Sequence, residues 1–220
     1  MRKFFNLDSP FMIFLSNLTD IVILNVICLI CCIPIVTIGP AVTAMHYVTL
    51  KMVKDENGYI VKNFFKSFKE NFRQAFIAWL IFLLITVVFI LDFKILQSMG
   101  INENKILSIV VGAIYLFSSM TAMYVFPILS RFSNSLGQTI KNAFFMSILH
   151  IFKTLIMAVI YILPFLLLPL HIMVIPVFLL VGLAGPAYFN SFIWKSIFKK
   201  YEPEVEKAEI VSDEEFEVEI

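Results

Sequence analysis

Between Arg73 and Asp92 the chain reads Gln74-Ala-Phe-Ile-Ala-Trp-Leu-Ile-Phe-Leu-Leu-Ile-Thr-Val-Val-Phe-Ile-Leu91, without a single charge. An α-helix rises about 1.5 Å per residue, so about 20 apolar residues cross a hydrocarbon core about 30 Å thick. The stretch therefore reads as one transmembrane helix. Three other uncharged runs share its character: from Asp20 to Lys51, from Lys105 to Arg131 and, longest of all, from Lys153 to Lys195. Backbone groups in lipid must bond within their own segment, so each crossing is helical.

The composition agrees. Of 220 residues, 60% are hydrophobic and 15% charged, with 24 Phe. A soluble domain carries about 45–50% apolar and about 25% charged residues. The mean hydropathy is +0.91. The surplus apolar surface has to face lipid. A net charge of +1 argues against a nucleic-acid partner, which calls for a strong basic excess.

The expected fold is all-α: a polytopic transmembrane helix bundle of about five spans, forming one integral membrane domain over residues 1–200. The spans fall near 17–38, 74–95, 106–128, 150–168 and 173–194, the last run holding two with a turn among Pro164, Pro169, His171 and Pro176. Pro34 and Gly39-Pro40 end the first span, because proline removes a backbone donor and restrains its predecessor. The alternative for that region is a broken or re-entrant hairpin, giving six passes. Met1-Arg2-Lys3-Phe4-Phe5 imitates a signal peptide. Asn6, Asp8, Asn17 and Asp20 interrupt the apolar region such a peptide needs, so the start reads as uncleaved.

Basic residues orient the bundle. With five spans and a cytoplasmic C-terminus, segments 39–73, 129–153 and 195–220 lie inside and hold 13 of the 17 Lys and Arg residues. Arg2, Lys3, Lys94 and Lys105 lie outside. The expected location is the cell membrane, multi-pass, with the bilayer itself as a partner.

Two inner segments are amphipathic. In residues 58–73, Val61, Phe65, Phe68 and Phe72, with Phe64 beside them, form one helical stripe, and Lys62, Lys66, Lys69 and Arg73 a second about 100° around. Aromatics beside snorkelling cations describe a helix lying in the membrane surface. Residues 131–150 repeat the theme more weakly, with Leu136, Ile140 and Phe144 in a stripe. The segments also share spacing: Gly58 precedes Lys62, Asn63 and Phe65 as Gly137 precedes Lys141, Asn142 and Phe144, the pattern a duplicated helix–loop–helix would leave. Residues 201–220 carry nine acidic side chains and one Lys, a net charge of −8. Such a block reads as a disordered, solvated cytoplasmic tail, able to shield the basic inner face or dock a partner.

Chemistry is sparse. Cys28, Cys31 and Cys32 share one apolar run and read as small apolar residues rather than metal or redox ligands. The ionisable residues near spans are Asp20, Asp92, His46, His150 and His171, all within reach of an interface. There is no Walker loop, His-Glu-x-x-His or Gly-x-Ser-x-Gly. The reading is therefore of no enzyme: no catalytic, cofactor-binding or metal residues, no cofactor, and no assignable substrate residues. Gly39-Pro40-Ala41 and Gly185-Pro186-Ala187 echo each other. Broken helices bind substrate through freed backbone groups, but serve equally as kinks or stops.

Four strings carry a resemblance: Cys-Ile-Pro-Ile-Val-Thr-Ile-Gly-Pro-Ala at 32–41, Tyr-Ile-Val-Lys-Asn-Phe-Phe-Lys-Ser-Phe-Lys-Glu-Asn-Phe at 59–72, Arg-Phe-Ser-Asn-Ser-Leu at 131–136 and Gly-Pro-Ala-Tyr-Phe-Asn-Ser-Phe at 185–192. Together they resemble the YesL-like family of bacterial multi-pass membrane proteins, grouped under a domain of unknown function, from Asn6 to about Tyr201. The resemblance implies no activity and no catalytic residues. Because such proteins are often encoded beside sugar transporters and glycoside-degrading enzymes, it implies an accessory role in carbohydrate uptake, with a sugar-transporter permease as partner. The alternative is a small transporter or channel in its own right, motivated by the paired Gly-Pro breaks.

Overall fold

A computed structural model describes residues 10–54, 58–98, 105–169, 172 and 174–201. The N-terminal start, His171 and the acidic tail lie outside the described residues. Every regular element described is helical: α1 (Pro10–Cys32), a 3-10 turn (Ile35–Thr37), α2 (Ile38–Val53), α3 (Ile60–Ser98), α4 (Lys105–Arg131), α5 (Leu136–Leu149), α6 (Ile151–Leu167), α7 (Val174–Val181) and α8 (Ala184–Phe198). Three helices, α1, α3 and α4, are long and apolar enough to cross a membrane. The count rises to five if the bent pairs α5–α6 and α7–α8 each form one span. Large apolar side chains stand exposed along α3 from Ile77 to Ile95, along α4 from Ile106 to Phe117 and over most of α6. A soluble monomer rarely leaves so much contiguous apolar surface open; the architecture is that of a membrane protein.

The first apolar run is not one helix closed by Gly39-Pro40. α1 stops at Cys32, ahead of Pro34, and the chain turns through Ile35–Thr37. The Thr37 hydroxyl is positioned to hydrogen-bond both the Cys31 and Pro34 carbonyls, at 2.6 and 2.8 Å. Gly39-Pro40 then opens α2. Proline fits a first helical turn, where its missing N–H would have no partner anyway. α2 is not among the spans; it is the buried element of the bundle, packed against α1, α3, α4 and α8. Small residues recur among its contacts, Gly39 meeting Ala75, and Ala41 and Ala44 clustering with Ala184 and Ala187. Close approach of that kind holds helices together where lipid removes the usual hydrophobic drive.

Residues 58–73 do not form a separate surface helix. They run without a break into the following span as α3, 39 residues long, or about 58 Å, nearly twice a hydrocarbon core. A segment lying flat before a crossing segment needs a kink, and kinks need a cause such as proline or an inserted side chain. None of residues 60–98 is a proline. Phe64 packs into the cluster that holds Ala41, Ala44 and Val48 of α2, and both Phe64 and Ser67 are fully buried, while Val61, Phe65 and Phe72 are exposed.

The weaker amphipathic segment is the one set off from its span. α5 meets α6 at a 100° bend at His150. Ser135 caps α5 by accepting from the Gln138 N–H, and Thr139, Ala143, Met146 and Ser147 form its buried face. The two segments that share letter spacing thus take different courses. The last apolar run divides into α6, α7 and α8, with a 50° bend between α7 and α8 beside Gly182.

Candidate functional site

Two polar constellations sit inside this apolar bundle. The first is built on Asn25 of α1, which is fully buried. A break between α7 and α8 leaves terminal carbonyls and amides without helical partners, and each is costly in an apolar interior. Asn25 supplies them from a distant part of the chain. Its side-chain nitrogen donates to the Leu179 and Phe178 carbonyls at 2.8 and 3.3 Å. Its side-chain oxygen accepts from the Leu183 and Ala184 N–H groups at 2.8 and 2.9 Å. One amide thus closes one helix and opens the next, so the backbone groups at Phe178, Leu179, Leu183 and Ala184 are already engaged.

The second constellation lies where α2, α6 and α8 meet. α2 and α8 run side by side in the same direction, tied by Ser191 Oγ donating to Thr49 Oγ1 at 2.8 Å and Lys195 Nζ donating to the Val53 carbonyl at 3.0 Å. The second contact also places a cation at the carboxyl end of α2, where the helix dipole favours it. α6 crosses against α8, with Asn190 Nδ2 donating to the Met157 carbonyl. Between them His46 and Tyr161 meet, Nε2 to hydroxyl, at 3.3 Å, with rings edge to face. Asn190 and Trp194 also bear on the Tyr161 hydroxyl. Even so, His46 Nδ1, Asn190 Oδ1 and Trp194 Nε1 find no hydrogen-bond geometry of their own. Burial lowers the His46 pKa to about 3, so the imidazole is neutral at ordinary pH. A neutral imidazole, a phenol, an amide and an indole can offer donors and acceptors to a small uncharged group; they bring no fixed charge.

A third, purely structural knot lies beside it. The Tyr124 hydroxyl and Thr154 Oγ1 are 2.7 Å apart, and Thr154 Oγ1 is also placed to donate to the Ser147 and His150 carbonyls. This ties α4 to the α5–α6 bend. Tyr124 packs edge-on against Trp194, the largest fully buried side chain described.

Of the ionisable residues singled out from sequence, His46 departs furthest from expectation. It is 3% exposed rather than at a solvated helix end, because α2 is a packed interior helix. Asp20, Asp92 and His150 are partly exposed. Cys28 is buried, Cys31 and Cys32 are half-buried, and all three are free thiols. Among the described residues no group of three or more His, Cys, Asp or Glu side chains could hold a metal ion. Asp20 lines an open depression of about 500 Å³ with Ile23, Gly58, Tyr59, Ile60 and Val61. Asn25, Tyr161 and Asn190 escape a reading by charge or motif, since neutral polar residues in apolar runs resemble ordinary helix interior. Asn25 had one available signal: it is an amide in the middle of an otherwise apolar span, where an unpaired polar group is expensive.

Residues 21–93 match the model of a family described as a protein of unknown function, DUF624. The match takes in most of α1, all of α2 and most of α3, including Asn25, Gly39 and the cationic first turns of α3. No curated protein and no solved structure matches the chain.

Proposed function

We propose that this is a non-enzymatic membrane protein that works through a partner in the bilayer, as an accessory factor in carbohydrate uptake, with its C-terminus in the cytoplasm. The observation that carries the reading is how the buried polar groups are employed. Asn25, Thr154 and Ser191 are spent on helix ends, a helix bend and helix pairing, which builds a rigid scaffold. The carbohydrate context and the bacterial setting rest on the resemblance to the YesL-like family. The orientation rests on the 13-to-4 distribution of basic residues. Affinity capture from native membranes tests the partner: a sugar-transporter permease should co-purify at a stoichiometric level. A deletion strain should also lose growth or uptake on at least one oligosaccharide, and unchanged uptake on all of them would remove the proposal.

A second reading, a small transporter or channel, is favoured by the His46–Tyr161–Asn190–Trp194 cluster, where three buried polar atoms of the two Gly-Pro helices lack partners. Broken helices place such groups at membrane depth in known transport architectures. Purified protein in liposomes decides it: sugar or ion flux that His46→Leu abolishes would favour this reading over the first.

A further inference from the structure

The outer face of the first turns of α3 carries two kinds of exposed side chain at once, cationic and apolar. Lys62, Lys66, Lys69 and Arg73 are exposed along it, with Glu70 the single acid among them. Beside them Val61, Phe65 and Phe72 are also exposed. Phe72 is no loose side chain: it continues a ladder of rings, Phe64–Phe68–Phe72–Phe76, with centroids 5.5–6.0 Å apart, that begins in the core at Phe64. The apolar stripe is therefore rigid, and it faces outward.

We propose that residues 202–220 of the same chain dock on this face, acidic side chains against the cations and apolar side chains against the phenylalanines. Three observations support the pairing. The first is charge: positions 201–220 carry −8 while the rest of the chain carries +9, and four of those cations lie on this face. The second is pattern. Glu215-Phe216-Glu217-Val218-Glu219-Ile220 alternates acid and apolar residues, and in an extended segment alternate side chains point to opposite sides. Such a segment offers one charged and one apolar edge to a surface that carries one charged and one apolar stripe. The third is position. Lys195 of α8 reaches the Val53 carbonyl, so the end of α8 lies beside the end of α2. α3 begins seven residues after Val53, so the segment leaves the bundle at the end where the face lies. It has to pass α2 and round α3 to its exposed side, a distance of about three interhelical spacings of 8–10 Å, whereas an extended segment of its length reaches up to about 65 Å.

Exposed ion pairs are individually weak, but a tethered segment has an effective concentration on the order of millimolar. Several weak pairs plus apolar contact then suffice, and salt loosens the contact by screening. The docked segment would cover the basic face and release it at high ionic strength or when another anionic surface competes.

The test is zero-length carbodiimide cross-linking of the full chain in nonionic detergent, read by peptide mass mapping. At low salt, carboxylates of 202–220 should couple to Lys62, Lys66 and Lys69 at least fivefold more than to Lys141. Yield should drop at least fivefold in 0.5 M NaCl. It should drop similarly in the triple variant Phe216→Ser/Val218→Ser/Ile220→Ser, which alters no described helix and keeps every charge. Couplings confined to the neighbouring Lys199 and Lys200, or yields indifferent to the triple variant, would overturn the proposal. The same measurement in vesicles separates the chain's own segment from lipid: couplings that persist in phosphatidylglycerol support the segment. Couplings present in phosphatidylcholine but lost in phosphatidylglycerol assign the face to anionic headgroups instead.

Discussion

The two Gly-Pro-Ala sequences invite comparison, because they are identical in letters and lie at the starts of adjacent parallel helices. At 39–41 the glycine is a contact. A Cβ there would fall 2.4 Å from the Ala75 carbonyl oxygen and 2.6 Å from Trp79 Cβ. At 185–187 the glycine is not: the nearest atom to an added Cβ is Val181 Cβ at 3.6 Å, an ordinary contact. The turns before them differ too. The turn at 33–37 is held locally by Thr37. The turn at 182–183 is held by Asn25, from the opposite end of the sequence. The same three letters mark a close helix crossing in one place and a helix start braced from outside in the other, so a motif repeated in sequence need not repeat its physical role.

Gly39→Ala is the largest expected break in this comparison. The clash is with α3 backbone, which cannot swing aside, so the substitution should cost about 3 kcal/mol and lower the unfolding temperature in detergent sharply. A variant with wild-type melting would show that the α2–α3 crossing has slack. Asn25→Leu comes next. It strands the Leu183 and Ala184 N–H groups in an apolar interior at a cost of about 2 kcal/mol, and hydrogen exchange at those two amides should accelerate while exchange in α3 holds.

The third effect follows from His46. Its folded pKa of about 3 lies below the ordinary histidine value of 6.5. The unfolded chain therefore binds a proton that the folded chain refuses, and stability falls as pH drops below about 6.5, by up to about 1.4 kcal/mol per unit. Above that pH the effect vanishes. Chemical denaturation at pH 7.5 and 5.5 should show the loss, and His46→Gln should flatten it. An unchanged slope in that variant would assign the pH dependence to other groups. The smallest effect belongs to Gly185→Ala, which should stay within about 0.5 kcal/mol of the parent because the added Cβ meets only an ordinary contact. A loss as large as that of Gly39→Ala would erase the distinction between the two motifs.

Much of the architecture was legible in the sequence. The uncharged runs revealed the helical, membrane character of the chain because charge is the one thing a hydrocarbon core does not tolerate cheaply. What stayed illegible were the joints. Gly39-Pro40 reads as a stop when it is a start, because proline's restriction applies equally before a helix and after one. The stripe at 61–72 reads as a surface helix because amphipathicity says which face is apolar but not whether the helix bends before its span. The candidate site was nearly invisible: His46 looked like an interface residue, and Asn190 and Tyr161 sit in runs whose helical period only the packing of α2 turns into an interior.

The Asn25 brace also bears on the order in which the protein can be assembled. During synthesis α1 emerges well before α7 and α8, so the amide waits in the membrane for partners that follow it by 153 to 159 residues. Until α8 arrives, Asn25 is a polar group in search of a bond, and until α1 is in place the amides opening α8 lack their acceptor. Neither end of the chain can settle alone. The later helices are therefore received by an earlier one, and closure of this part of the bundle depends on both α1 and α8 having been inserted.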